Sequence, residues 1–379
     1  MQYELTEEQE TLRRSIRDLA QGIIAPRAAE IDEKAEFPED IWEQLAKYGW
    51  LSLVIPEEYG GTGAPVLTTC VVIEEIAKVC ASSALILAVH SLGSTPITIA
   101  GSHEQKTRYF PRMAAGEHLA AFALTEPGAG SDASALGTTA VLDGDHYRLN
   151  GTKCFISNGG VAEIYSVFAM TSHGVGTKGI SAFIVEKSFP GFRIGKMEHK
   201  MGIRGNPTTE ILFEDCLVPR ENLLGKEGEG FRIAMQTLDK ARPGIGAQAV
   251  GIAQGALDFA ASYAKQRIQF KQPLAALPAI QFKLADMAMH TEAARQLVYK
   301  AAAMVDKGSK EVSKLSAMAK CFASDTAMWV TTEAVQVLGG YGYMKEYPLE
   351  RMMRDAKITQ IYEGTNEVQR LVIARGVLG

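Results

Sequence analysis

Ala120-Ala-Phe-Ala-Leu-Thr-Glu-Pro-Gly-Ala-Gly-Ser-Asp132 is where the texture of this 379-residue chain changes. Before it the pattern is helical. Thr6 followed by Gln9 is a capping-box pattern that predicts a helix start. Pro26 predicts its interruption past Ile24. A second helix is expected over Pro38 to Tyr48, with the proline in its first turn. Pro56-Glu-Glu-Tyr-Gly-Gly-Thr-Gly63 reads as a turn-rich break. Residues 67–80 and 82–92 are apolar enough for buried helices. After the quoted stretch, short β-like runs alternate with Gly, Asp, Asn and Pro turns. They include Tyr147-Arg-Leu149, Tyr165-Ser-Val-Phe-Ala-Met170, Ile180-Ser-Ala-Phe-Ile-Val185 and Glu210-Ile-Leu-Phe213. Asp143-Gly144 predicts a hairpin. From Gly230 helical periodicity returns over 230–265, 278–307, 310–338 and after Thr365, four helices expected to pack as an antiparallel bundle. The fold expected is α+β in three domains: helical over 1–118, a small antiparallel β-barrel or sandwich over 119–225, and a helical bundle over 226–379. The length suits more than one core.

Composition narrows the function. Apolar residues make up 46% and charged residues 22%, with net charge −5. That is ordinary for a soluble globular protein and lacks the basic footprint of a nucleic-acid binder. The five cysteines (70, 80, 154, 216, 321) are scattered with no C-x-x-C, which fits a reducing compartment and argues against a thiolate metal site. The seven histidines lack metal-ligand spacing, and no metal is expected. No H-E-x-x-H, G-x-S-x-G or Walker pattern occurs. The start Met1-Gln-Tyr-Glu-Leu-Thr-Glu-Glu8 resembles neither a signal nor a transit peptide, and no apolar run reaches membrane-spanning length, so a cytoplasmic protein is expected.

Several segments carry candidate chemistry. Glu363, in Gln360-Ile-Tyr-Glu-Gly-Thr365, is a lone carboxylate between apolar and small residues. Partial desolvation there raises a carboxylate toward a useful range for a base. Gly364 beside it allows close approach of a substrate. The loop Leu124 to Asp132, after a strand containing Phe122, offers backbone N–H and hydroxyl groups to a polar heterocycle or a phosphate. Standing alone, it reads first as a plain connecting loop. In Asn150-Gly-Thr-Lys-Cys-Phe-Ile-Ser157, Phe155 offers a flat face and Ser157 a donor on the same side of a strand. Read blandly, they are a core Phe and a turn Ser. Gln336-Val-Leu-Gly-Gly-Tyr-Gly-Tyr343 closes a helix with glycines that let backbone approach a diphosphate. Asp239 and Arg242 lie in a long helix that Pro243 should kink or interrupt, and surface solvation is the default for Arg242. Arg267 is a candidate phosphate fork.

Together these segments resemble the acyl-CoA dehydrogenase family over nearly the whole chain. The strongest motifs are Leu124 to Asp132, Gly202 to Pro219, Gln336 to Tyr343 and Arg354-Asp-Ala-Lys-Ile-Thr-Gln-Ile-Tyr-Glu-Gly-Thr365. The resemblance implies non-covalent FAD, an acyl-CoA thioester substrate, a homotetramer and electron delivery to an electron-transfer flavoprotein. It makes Glu363 the base that removes the α proton while the β hydrogen leaves as hydride. It makes the Glu363 backbone N–H one of two donors to the thioester carbonyl, a ribityl hydroxyl being the other. Phe122, Leu124, Thr125, Phe155 and Ser157 would hold the isoalloxazine. Arg267, Phe270, Gln336 and Gly340 would hold the FAD diphosphate and adenosine, partly across a dimer, and Thr365 and Glu367 further FAD contacts. Ser131, Asp239 and Arg242 would meet CoA, with Gly364, Ala88 and His90 near the acyl end. Three positions depart from the family pattern. Lys271 stands where relatives usually have Gly. Asn206 replaces a Ser-rich turn. Ala241 occupies the alternative base position before Arg242 and cannot accept a proton.

The acyl tail is expected along Ser82 to Ile97, which has no Lys, Arg, Asp or Glu. An uncharged short, medium-chain or cyclic acyl group follows, and His90 is equally a satisfied core histidine. Rival readings are an enoyl-CoA reductase, an acyl-CoA oxidase and a non-catalytic acyl-CoA binding protein.

Overall fold

The computed structural model describes residues 5–379; the acidic start Met1 to Glu4 lies outside the described residues. Thr6 caps α1 (Glu7–Leu19) with the expected box, its hydroxyl accepting from the Gln9 N–H at 3.2 Å while the Gln9 side chain accepts from the Thr6 N–H at 3.0 Å. Such caps contribute about 1 kcal/mol. A π turn and a 3-10 turn carry the chain past Pro26 into α2 (Ala28–Lys34). Pro38 stands at the N-cap position of α3 (Glu39–Lys47), one residue before the first turn expected for it. Next come α4 (Val66–Ala77), α5 (Ala81–Ala100) and α6 (His103–Ala114). The second apolar helix runs well past its expected end, through Gly93 and Pro96. Packing overrides propensity here. A Cβ at Gly93 would lie 2.6 Å from the Ala121 N, so glycine is what lets α5 rest on the first strand. Among the described residues α5 alone is long and apolar enough to span a membrane, yet 72% of that window is buried inside the protein.

The middle of the chain forms an eight-stranded sheet. Its strands are β1 (Ala120–Ala123), β2 (Thr139–Asp143), β3 (His146–Ser157), β4 (Ile164–Met170), β5 (Ile180–Glu186), β6 (Phe192–Met197), β7 (Thr208–Pro219) and β8 (Leu223–Leu224). The order is β6-β7-β3-β2-β4-β5-β8, with β1 on β4. Asp143 pairs with His146 across a two-residue loop in which Gly144 has φ 63°, as the hairpin signal predicts. The sheet is antiparallel except where β1, and one residue of β2, run parallel to β4.

The last third is α7 (Gly230–Gln266), a small hairpin of β9 (Ile268–Gln269) and β10 (Gln272–Pro273), α8 (Pro278–Asp306), α9 (Val312–Leu338), α10 (Leu349–Thr359) and α11 (Asn366–Leu378). The four expected helices are present, and α10 is an additional one. α7 continues through Pro243 without a break. α10 is the keystone between regions. Arg354 on it grips Asp32 of α2 through two contacts (3.0 and 2.7 Å) and donates to the Met201 carbonyl at 3.0 Å. The Asp355 carboxyl accepts from the Ile203 N–H at 2.6 Å. The end of α10 therefore starts from a fixed point, and the Glu363 turn follows directly.

Candidate active site

Glu363 lies in the turn between α10 and α11, facing α7 and α9. Its φ is 52° and that of Gly364 is 92°, two successive left-handed residues. A non-glycine residue there costs about 1–2 kcal/mol, so surrounding contacts must hold it. They do so through carbonyls. The Gln369 amide of α11 donates to the Glu363 and Gly364 carbonyls at 3.1 and 2.9 Å. The Lys320 ammonium of α9 donates to the Gly364 carbonyl at 2.8 Å. The Tyr362 hydroxyl donates to Gln248 of α7, whose amide in turn donates to the Ala81 carbonyl at the start of α5. A Cβ on Gly364 would meet the Gln369 Nε2 at 2.6 Å and push that amide aside, and the φ of 92° itself favours glycine.

The carboxyl end of Glu363 is enclosed, and its Oε2 is buried without a partner. Burial pushes its pKa up to about 7, against the opposing pull of Arg242 and Lys320. Arg242 is 4% exposed and donates to Asp239 at 2.6 Å; Asp239 also accepts from Ser313 at 3.2 Å. Surface solvation, the default for a helix arginine, does not apply to Arg242. Ala241 beside it offers no proton acceptor, which leaves Glu363 as the basic group of this cluster.

The loop after β1 is braced from beneath. Lys153 on β3 is fully buried, donating to the Leu124 carbonyl at 3.1 Å and to Glu126 at 2.7 Å. Burial would raise the Glu126 pKa, but Lys153 and the N–H groups of Gly137 (2.6 Å) and Thr138 (3.0 Å) hold the carboxyl below its ordinary value. The Cys154 N–H donates to the Thr125 carbonyl at 2.9 Å. Leu124 and Thr125 are thus fixed beside β3, and Ser131 stands exposed on the loop that follows. Phe155 falls at a bulge, with φ 58° where β3 slips register against β7, and it is 64% exposed. It is no core Phe. Cys154 and Ile156 point inward while Phe155 and Ser157 keep the outward side. Phe122 packs its ring 5.0 Å from that of Phe168. Asn206 clasps Asn158, accepting from its N–H at 3.3 Å and donating to its side chain at 2.7 Å, which secures the turn after Ser157.

A separate cavity lies between the C-terminal ends of α7 and α9. Arg267, Gln336 and Gly340 line one cavity of about 450 Å³ together with Tyr263 and Tyr341. The Arg267 guanidinium sits over the Tyr341 ring at 5.3 Å. Phe270 and Lys271 form the tip between β9 and β10, both left-handed (φ 50° and 63°), and Phe270 is 83% exposed. Such turns usually hold Asn or Gly, so Lys271 occupies its departure from the family pattern at a conformational cost. Thr365 caps α11, accepting from the Val368 N–H at 3.3 Å, and Glu367 is exposed in its first turn. Ala88 is 7% exposed and His90 fully buried. His90 accepts from the Ala120 N–H at 3.2 Å, and burial pushes it down to about 4. It is a neutral pin between α5 and β1.

The residues fit a flavin: an outward aromatic beside a hydroxyl on β3, a braced loop, an arginine-lined cavity and a buried, unpartnered carboxyl. Residues 6–117, 121–216 and 228–378 match the family descriptions "Acyl-CoA dehydrogenase, N-terminal domain", "middle domain" and "C-terminal domain". The chain belongs to the acyl-CoA dehydrogenase family. It is an FAD-dependent enzyme of that family. It is 52% identical to the short-chain specific acyl-CoA dehydrogenase of Clostridium acetobutylicum, covering 99% of both chains. It is 53% identical to the acryloyl-CoA reductase (NADH) of Anaerotignum propionicum, covering 100% of this chain and 96% of that one. The structure of butyryl-CoA dehydrogenase from Megasphaera elsdenii matches with TM-score 0.97 and 48% identity over the full length of both chains. A chain from a structure of the electron transferring flavoprotein of Acidaminococcus fermentans matches with TM-score 0.98 and 51% identity, again over both full lengths.

Sequence reasoning overlooked Lys153, Lys320, Gln248, Asn366 and Gln369. One signal was available: Lys320 falls in register with Ala317, Ser324, Ala327 and Thr331, the buried stripe of α9.

Proposed function

We propose that this enzyme removes the α proton of a short, uncharged acyl-CoA thioester with Glu363, giving the 2-enoyl-CoA. The observation that carries the reading is the enclosed Glu363 carboxyl beside Arg242 and Lys320, which burial pushes up to about 7, with one oxygen unpartnered. A base poised near the working pH is the most effective. FAD, when bound, supplies the hydride acceptor for the β hydrogen. Phe155, Ser157, Leu124 and Thr125 would hold its ring, and Arg267, Gln336, Gly340 and Phe270 its diphosphate and adenosine, with Thr365 and Glu367 beside the base.

The rest is done by this chain's own groups. An α C–H is a weak acid, so charge developing on the thioester oxygen needs donors. The Glu363 N–H donates to no protein acceptor among the described residues and remains available for that oxygen. One such donor contributes about 2.7–4 kcal/mol to the transition state. Arg242 and Asp239, locked together, would face the CoA moiety, with Ser131 on the opposite loop. Ala88 and the uncharged α5 support an uncharged acyl group, and His90, being neutral, adds no cation.

The relatives support transfer of electrons to an electron-transferring flavoprotein. A homotetramer is supported by exposed Phe282 (67%), Met289 (61%), Phe322 (39%) and Trp329 (36%) on α8 and α9. We place domain limits near 118 and 225 and expect a cytoplasmic location. A second reading, enoyl-CoA reduction, is favoured by the likeness to the acryloyl-CoA reductase. Anaerobic mixing of the yellow protein with butyryl-CoA, longer acyl-CoAs, cyclohexanecarbonyl-CoA and glutaryl-CoA tests the proposal. Bleaching by short uncharged thioesters is expected. Bleaching only by glutaryl-CoA, or by none, overturns it. Faster turnover of crotonyl-CoA with a reductant than of butyryl-CoA with an acceptor would favour the second reading.

A further inference from the structure

Lys320 is a lysine where helices bury alanine. Its side chain is fully enclosed on α9, in the stripe that packs against α7, α10 and α11. Enclosing an ammonium costs several kcal/mol unless its donors are used. Two are used on the base turn: the Gly364 carbonyl at 2.8 Å and the Asn366 side-chain oxygen at 2.9 Å. Asn366 is itself fixed, donating to Ser324 at 2.9 Å and Asp325 at 2.7 Å. A neutral side chain would fill this space more cheaply, so the charge requires a reason. The turn that it grips is the strained one bearing Glu363.

Resting on the assignment of Glu363 as base, we propose that Lys320 is a positioning residue: its ammonium, held by the Gly364 carbonyl and the Asn366 side chain, fixes the base turn and sets a positive charge beside the Glu363 carboxyl. The charges that act on this carboxyl are Arg242 of α7 and Lys320 of α9, with Tyr362 of its own turn beside it. Asp239 lies behind Arg242. Cys321 and Asp325 lie about Lys320, and Glu367 and Arg370 about Cys321. Arg242 is already committed to Asp239. Lys320 is therefore the cation of this group without a carboxylate in its own salt bridge among the described residues. Burial pushes Lys320 down to about 8, and the Glu363 charge opposes that fall.

The test uses the FAD-bearing enzyme and the variants Lys320→Gln, Lys320→Met and Lys320→Arg. Two signals are followed against pH: anaerobic flavin reduction by butyryl-CoA, and the infrared carboxyl band of Glu363, taken as the difference from Glu363→Gln. In Lys320→Gln and Lys320→Met both midpoints should move up by about one pH unit, and Lys320→Arg should restore them. A purely structural lysine would lower the rate at all pH values and leave the midpoint in place. Folded, yellow Gln and Met variants with an unmoved midpoint would overturn the proposal. A second measurement needs no change at Lys320. Coupling is reciprocal, so the Lys320 titration, followed by NMR of isotope-labelled lysine, must shift to lower pH in Glu363→Gln. No shift there also overturns it. A Glu363→Gln variant with undiminished turnover would instead sink the base assignment itself.

Discussion

Replacing Glu363 with Gln should make the folded protein more stable at high pH, and the gain should fade in acid. Burial holds the carboxyl at about 7 instead of 4.5. A raised carboxyl favours folding fully below its unfolded pKa, and that advantage is lost as pH rises through the folded pKa. A gap of about 2.5 units at 1.36 kcal/mol each sets an upper bound of about 3 kcal/mol for the cost of ionising Glu363 in place. That bound applies near pH 8; by pH 5 the cost falls below about 1 kcal/mol. Gln is neutral throughout and escapes it. Its amide brings an extra donor into a site where Oε2 has no partner, which offsets some of the gain by an amount independent of pH. The informative quantity is therefore the difference between the two pH values. At about 2.1 cal/mol/K per residue over 379 residues, about 3 kcal/mol corresponds to about 4 °C. Thermal unfolding of both FAD-bearing proteins at pH 5 and pH 8, read by circular dichroism and flavin fluorescence, measures it. A midpoint difference that is the same at both pH values would refute the reasoning.

Lys153→Met removes the partner of a buried carboxylate and should destabilise by about 3 kcal/mol, the two N–H donors that Glu126 keeps placing it at the low end. The double variant Lys153→Met/Glu126→Gln should recover part of the loss in a thermal melt; no recovery would show that the two do not act as a pair. Gly364→Ala forces a left-handed alanine against Gln369. Flavin content should persist while butyryl-CoA turnover falls about 10²-fold, the usual effect of displacing a catalytic group by about 1 Å. Normal turnover by that variant would mean the turn has slack.

Much of the fold was legible because local rules and packing agreed. Thr6 and Gln9 wrote out a cap, Asp143-Gly144 a hairpin, and 230–265 a long amphipathic helix. They failed where packing prevailed. α5 passes Gly93 and Pro96 because β1 needs the space that glycine leaves, and α7 passes Pro243 because its neighbours enclose it. The α10 segment stands in the sequence as a motif; its weight lies in Arg354 and Asp355, whose partners outside the helix are more than 150 positions away in the chain. The site shows the same division. Glu363, Gly364 and the two loops proposed to hold the flavin stand in recognisable runs. Lys153 and Lys320 do not, because one lysine in a strand or helix is ordinary until its burial is known. Arg242 illustrates the reverse: a helix arginine is normally solvated, and only tertiary structure buries this one against Asp239.

The central claim is that Glu363 takes the α proton. Single-turnover reduction of the bound flavin by butyryl-CoA under anaerobic conditions, in wild type and Glu363→Gln of equal FAD content, tests it most directly. The account predicts a rate at least about 10²-fold lower in the variant. Equal rates in the two proteins would contradict it.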